Sequence, residues 1–110
     1  MAEGTKPQIT GTFGKQPGEA VPLGRWIQSF AEDTIPGETI VSATFTVTRS
    51  DDATLTGDDL TAGTPSVTGV EATAGFTKGV HGVDYHVEIL ATGNGGAVYD
   101  ADWLVYCREV

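Results

Sequence analysis

Cysteine is nearly absent from this sequence: Cys107 stands alone, so no internal disulfide can form and no cysteine cluster is present to hold structural zinc. The fold must therefore rest on its hydrophobic core, and a chain without disulfides suits a reducing place of synthesis. Basic residues are also scarce. Six Lys and Arg stand against fifteen Asp and Glu, for a net charge of −9. Such a chain repels a phosphate backbone and gains nothing from counterion release, which argues against nucleic acid as a partner, and it repels an anionic membrane for the same reason. No apolar run approaches the length of a bilayer span and no apolar segment follows the N-terminus, so neither a transmembrane helix nor a secretory signal is expected.

Groups that carry chemistry are equally thin. His81 and His86 have no second ligand at metal-site spacing, and His86 is out of phase with Tyr85 and Val87, which makes it a solvent-facing strand residue. No activating turn surrounds any serine, and Cys107 in its aromatic strand reads as a buried, inert thiol. Gly79 to Gly82 and Gly93 to Gly96 lack the Lys-Ser/Thr ending of a phosphate loop and precede strands, so they are turns. The pairs Asp51-Asp52 and Asp58-Asp59 offer carboxylates to calcium or form a solvated acidic loop, and the lack of ordered ligand spacing favours the loop. The expectation is a protein with no catalytic residues, no cofactor and no metal.

What is present points to strands. The 110 residues match one domain, and the 15 glycines and 5 prolines supply the many turns that short strands require. Met1 to Gly24, rich in Gly, Pro, Thr and Gln, reads as an extended arm with a short edge strand at Gln8 to Phe13; it is either a frayed terminus or an arm laid across a neighbouring subunit. The folded domain is expected over residues 25–110. Arg25 to Phe30 places Trp26, Gln28 and Phe30 on one face, and Pro36-Gly37 then turns the chain. From Thr39 to Arg49, Val41, Ala43, Phe45 and Val47 alternate with Ser42, Thr44, Thr46 and Thr48, the pattern of one buried and one wet face. Leu60 to Thr68, interrupted by Pro65, and Glu71 to Thr77 are weaker strands. Asp84 to Ala91 puts Tyr85, Val87, Ile89 and Ala91 on one face. After the Gly93-Asn94-Gly95-Gly96 hairpin loop, a last strand from Ala97 to Arg108 sets Trp103, Val105 and Cys107 opposite Leu104, Tyr106 and Arg108. Six to seven short strands without helical periodicity predict a single all-β, immunoglobulin-like two-sheet sandwich.

Two features carry more than packing. Gly82, Asp84 and Tyr85 have the order of a tyrosine corner: Gly82 for a turn closed to other residues, Asp84 to bond nearby backbone N–H groups, and Tyr85 to send its hydroxyl back to upstream backbone. Trp26, Tyr99, Trp103 and Tyr106 are too many large rings for one thin core, so they are candidate partner contacts.

Two patches resemble a known group. Lys15-Gln16-Pro17-Gly18-Glu19, the Arg25 to Phe30 strand and Gly37-Glu38-Thr39-Ile40-Val41-Ser42-Ala43 resemble the opening of small immunoglobulin-like proteins encoded among the head and tail structural genes of tailed bacteriophages. Gly79-Val80-His81-Gly82-Val83-Asp84-Tyr85, followed by Val87, resembles their Gly-x-x-Gly-x-Asp-Tyr-x-Val signature. The resemblance spans about Lys15 to Val110 and departs from the family after Ala91, where family members carry a Ser-Gly turn and a polar final strand. It implies a non-enzymatic virion protein, made in the bacterial cytoplasm, that docks on other phage structural proteins or on itself as a capsid decoration, head-tail joining or tail-associated subunit. The alternative expectation is a glycan- or host-surface-binding module whose exposed Trp or Tyr stacks on sugar rings.

Overall fold

Alternation of inward apolar and outward polar residues over ten-residue stretches builds the three longest strands of the computed structural model, which describes residues 9–108. In chain order the strands are β1 (Ile9–Lys15), β2 (Ile27–Ser29), β3 (Ile40–Arg49), β4 (Thr61–Ala62), β5 (Ser66–Thr68), β6 (Glu71–Thr73), β7 (Phe76–Thr77), β8 (Asp84–Gly93) and β9 (Val98–Cys107). The larger sheet has the order β1-β9-β8-β3, with β8 antiparallel to both β9 and β3 and β1 parallel to β9. The smaller layer is β2-β6-β5, extended by the β4-β7 pair. Gly63 N–H bonds to Gly75 O at 2.8 Å and joins these two pieces into one run.

The arrangement is an immunoglobulin-like sandwich. In its constant-type form strands C, F and G face A, B, E and D. Here β3, β8 and β9 stand as C, F and G, and β2, β6 and β5 as B, E and D, while the first strand joins the G side. Among the described residues nine strands replace the expected six to seven, because the two weak strands each divide. Pro65, which has no N–H for a ladder, separates β4 from β5, and Ala74-Gly75 separates β6 from β7.

The core lies between the layers. Phe30, Phe76, Tyr85, Val87, Ile89, Trp103 and Val105 are fully or almost fully buried, which bears out the inward faces read for β8 and β9. On β3 the reading holds for Ala43, Phe45 and Val47, which pack on this core, but not for Val41. A register shift between Ile40 and Ser42 turns Ile40 inward and leaves Val41 55% exposed.

The expected domain boundary at Gly24 to Arg25 does not match the packing. Residues 1–8 of the expected arm lie outside the described residues, but Ile9–Lys15 is a full strand of the larger sheet. Val21 then pairs with Phe76, with backbone bonds of 2.7 and 2.9 Å in the two directions. Gly11 makes β1 possible, since a Cβ there would meet Phe13 and Trp103 ring carbons at 2.9 Å.

Candidate functional site

The turn before β8 holds the corner. Gly82, at φ +82°, donates its N–H to Cys107 O at 2.8 Å, and Val83 N–H closes onto Val80 O at 3.1 Å. Tyr85 follows with its ring fully buried. Its hydroxyl accepts the Val80 N–H at 3.0 Å and donates to Asp59 Oδ1 at 2.7 Å. Asp59, 1% exposed, also accepts Thr56 N–H at 2.7 Å and an Arg49 guanidinium N–H at 3.1 Å. Arg49 reaches on to Asp51 through bonds of 3.0 and 2.8 Å.

These contacts set the electrostatics. Burial, reinforced by the bond to Asp59, pushes the Tyr85 phenol up to about 12. The bond from Tyr85 holds Asp59 below its ordinary value against the opposing effect of burial. Arg49 draws Asp51 down to about 2. The tyrosine hydroxyl thus returns to upstream backbone, and a carboxylate that sequence reasoning assigned to a wet loop becomes its buried acceptor. Asp84 departs from expectation. At the first position of β8 it faces outward and accepts from Arg108 at 3.0 Å, so it pins the end of β9 in place of capping backbone N–H groups.

The opposite end of the sandwich carries a similar pair. Tyr99 donates its hydroxyl to Glu38 Oε1 at 2.6 Å, and the same oxygen accepts Ile35 N–H at 3.1 Å. The bond to Glu38, with some burial, raises the Tyr99 phenol above its ordinary value. Gly93 leaves room for this carboxylate, since a Cβ there would displace the Glu38 side chain from its present position.

The four aromatic residues expected at a partner surface separate. Trp26 and Trp103 are 8% and 1% exposed and belong to the core. The core is larger than expected because β1 brings Phe13 into it: Phe13 stacks on Trp26 at 4.6 Å and meets Trp103 edge-on at 4.9 Å. The Trp103 indole N–H is satisfied by Gln28 Oε1 at 2.9 Å. Neither ring can stack on a sugar without opening the sandwich. Tyr99 is half-buried and tilted against Phe30. Tyr106 alone lies on the outer face of the larger sheet, with Arg108 over its ring at 5.7 Å.

That outer face gathers the titratable groups. Glu88 pairs with Asp102 across β8 and β9, and Asp100 stands one alternation further along. Carboxylate oxygens of Glu88, Asp100 and Asp102 lie within 4.8 Å of one another. His86 Nε2 meets Asp102 Oδ1 at 2.6 Å, so the histidine is on the outer face as read, but engaged. Burial first, then the neighbouring Asp100 and Asp102, raise Glu88; burial and Asp102 raise Asp100. These are the side chains that can share a proton or face a cation. Carboxylates converge here and not at Asp51-Asp52 and Asp58-Asp59, where Asp51 and Asp59 are bound to Arg49 and Tyr85. Asp100 and Asp102 share a face by alternation along β9, and only cross-strand register brings Glu88 to them.

An open groove at the β1-β9 end is lined by Gly14, Lys15, Gln16, Glu19, Tyr106 and Arg108. The Lys15 ammonium does not serve it, being turned inward onto Gln16 O at 2.7 Å and Lys78 O at 2.5 Å. Cys107 is buried, and burial raises its thiol, which keeps it protonated and unreactive. No helix of the described residues is long and apolar enough to cross a membrane. Compared with protein-family models and with curated proteins, the chain finds no match.

Proposed function

We propose that this chain is a non-enzymatic structural protein of a tailed-phage particle, a docking module that adds to a shell, neck or tail through its sheet surfaces. The observation that carries the reading is how the chain uses its polar side chains. Tyr85, Asp59, Arg49, Tyr99 and Glu38 are bonded to one another and to backbone at the two ends of the sandwich, where they hold loops and present no converging acid, base and nucleophile to a cleft. The resemblance of Gly79 to Val87 to the phage signature supports the same reading, since those residues form the turn and strand start that such a module needs. The charge of −9 suits a surface exposed on a particle and opposes contact with packaged DNA. Mass spectrometry of particles purified from a strain carrying the gene is the test. The chain is expected at stoichiometric level with the other structural proteins; its absence from intact particles overturns the proposal.

A further inference from the structure

The geometry points to β3 as an edge that pairs with β3 of a second copy of this chain, antiparallel, about a two-fold axis perpendicular to the larger sheet. This inference rests on the docking reading above and names its surface and its partner.

β3 ends the larger sheet and, among the described residues, is paired with β8 alone, while β4 and β5 pack against it from the other layer. Ser50 N–H bonds to Asp84 O at 2.9 Å, which sets the phase of the ladder. Backbone groups alternate between the two sides of an antiparallel strand, so Ser42, Thr44, Thr46 and Thr48 turn theirs to β8, and Ala43, Phe45 and Val47 turn theirs to the open side. Among the described residues the open stretch is closed only at its limits, by Ile40 N–H to Gly69 O at 2.8 Å and Asp52 N–H to Arg49 O at 3.1 Å.

Sheet edges are normally blunted by charge or proline. β3 has neither between Glu38 and Arg49, and the β4-β5 stretch on the same flank has no charge between Asp59 and Glu71. On a chain of net charge −9 this uncharged flank sets no like charge of β3 against its copy between Glu38 and Arg49. An acceptor strand of strongly basic chemistry would find no complement there, whereas a copy of β3 does. A perpendicular two-fold keeps outward residues with outward ones. Centred on Phe45, it sets Thr44 opposite Thr46 and Ser42 opposite Thr48 on the wet face, and Ala43 opposite Val47 on the inner face. The residues that then form hydrogen-bonded pairs are those whose backbone groups point outward. The product is one sheet running through both copies, with Val41, now exposed, at the seam.

Sedimentation velocity on the full chain, over a concentration series, is the first measurement, and residue-resolved amide exchange on the same samples is the second. The expected result is a monomer-dimer equilibrium populated below about 1 mM, with the Ala43, Phe45 and Val47 amides gaining protection as dimer forms. Ala43→Pro, which removes an outward N–H, and the pair Thr44→Lys with Thr46→Lys, which sets Lys against Lys across the axis, are each expected to weaken dimerisation about tenfold or more. If Ala43→Pro does not fold, the lysine pair on the exposed face still decides. A chain that stays monomeric, a dimer whose protection appears elsewhere, or a dimer indifferent to the lysine pair overturns the inference. Particle association is read separately, so a monomer found in particles rejects this edge and leaves the docking reading standing, and a dimer absent from particles does the reverse.

Discussion

Tyr85 uses one oxygen twice, accepting from Val80 N–H and donating to Asp59. Phenylalanine at this position fills the same space but leaves a part-buried N–H and a buried carboxylate each short of a partner. Tyr85→Phe is therefore expected to cost about 1 to 3 kcal/mol, measured by denaturant unfolding, with Tm lowered by roughly 4 °C or more. The hydroxyl also gives a pH dependence of known sign. A phenol raised from 10.0 to about 12 holds its proton more tightly in the folded chain, so its contribution is complete below pH 10 and fades as pH climbs toward 12. Stability measured across that window should fall more steeply in the wild type than in Tyr85→Phe. At the acid end the sign reverses. Asp51 and Asp59 are lowered from 3.8, so what they contribute is present above that value and is lost as pH falls through their folded values.

At the scale of elements, β1 depends on glycine for a reason unrelated to turns. Alanine at Gly11 would press on Trp103 and Phe13 at 2.9 Å, while alanine at Gly14 meets Tyr106 at an ordinary 3.5 Å. Gly11→Ala is expected to cost about 1 to 3 kcal/mol by overpacking and to raise amide exchange along β1, with Gly14→Ala near neutral. The β8-β9 face gives the opposite kind of case. Asp100 is raised above 3.8, so the folded chain holds its proton more tightly, a gain complete at low pH and lost as pH rises through the folded value. Asp100→Asn should then raise Tm at pH 7, and the advantage should vanish below pH 3.8; a variant no more stable at neutral pH would show that the cluster is relieved by another route.

These elements also show what strand pattern reveals. β3, β8 and β9 were legible because ten-residue alternation leaves little choice of face, and Gly82 with Tyr85 announced the corner. β1 was legible only in part, as a short edge strand at Gln8 to Phe13 within an arm: Thr, Gly and a single Phe carry no strong period, and nothing local shows its pairing with β9 or the fit of Gly11 beneath the Trp103 ring. That unread pairing left Trp26 and Trp103 as candidate partner contacts, because without Phe13 the core is too thin for both. Asp59 and the Glu88, Asp100 and Asp102 group needed cross-chain register, which no local window contains.

Over the whole molecule, Tyr85 with Asp59 and Tyr99 with Glu38 fasten opposite ends of one sandwich. Tyr85 and Ala91, the partner of Tyr99, lie on the same strand at a separation of roughly 20 Å, so the two fastenings are expected to act independently. The Tm losses of Tyr85→Phe and Tyr99→Phe should add in the double variant, and a clear excess would mean that the ends communicate through the sheet. The parallel pairing of β1 with β9 has a mechanical consequence. β1 begins beside Asp102 and β9 ends beside Lys15, so tension applied to the start of β1 and the end of β9 drags the two strands in opposite directions along their shared axis. The ladder bonds between them are then loaded together, in shear, and must fail as a group before the sandwich can extend. Resistance to force is set by the rate of that unfolding step, and in this chain it is vested in a strand seated by a single glycine.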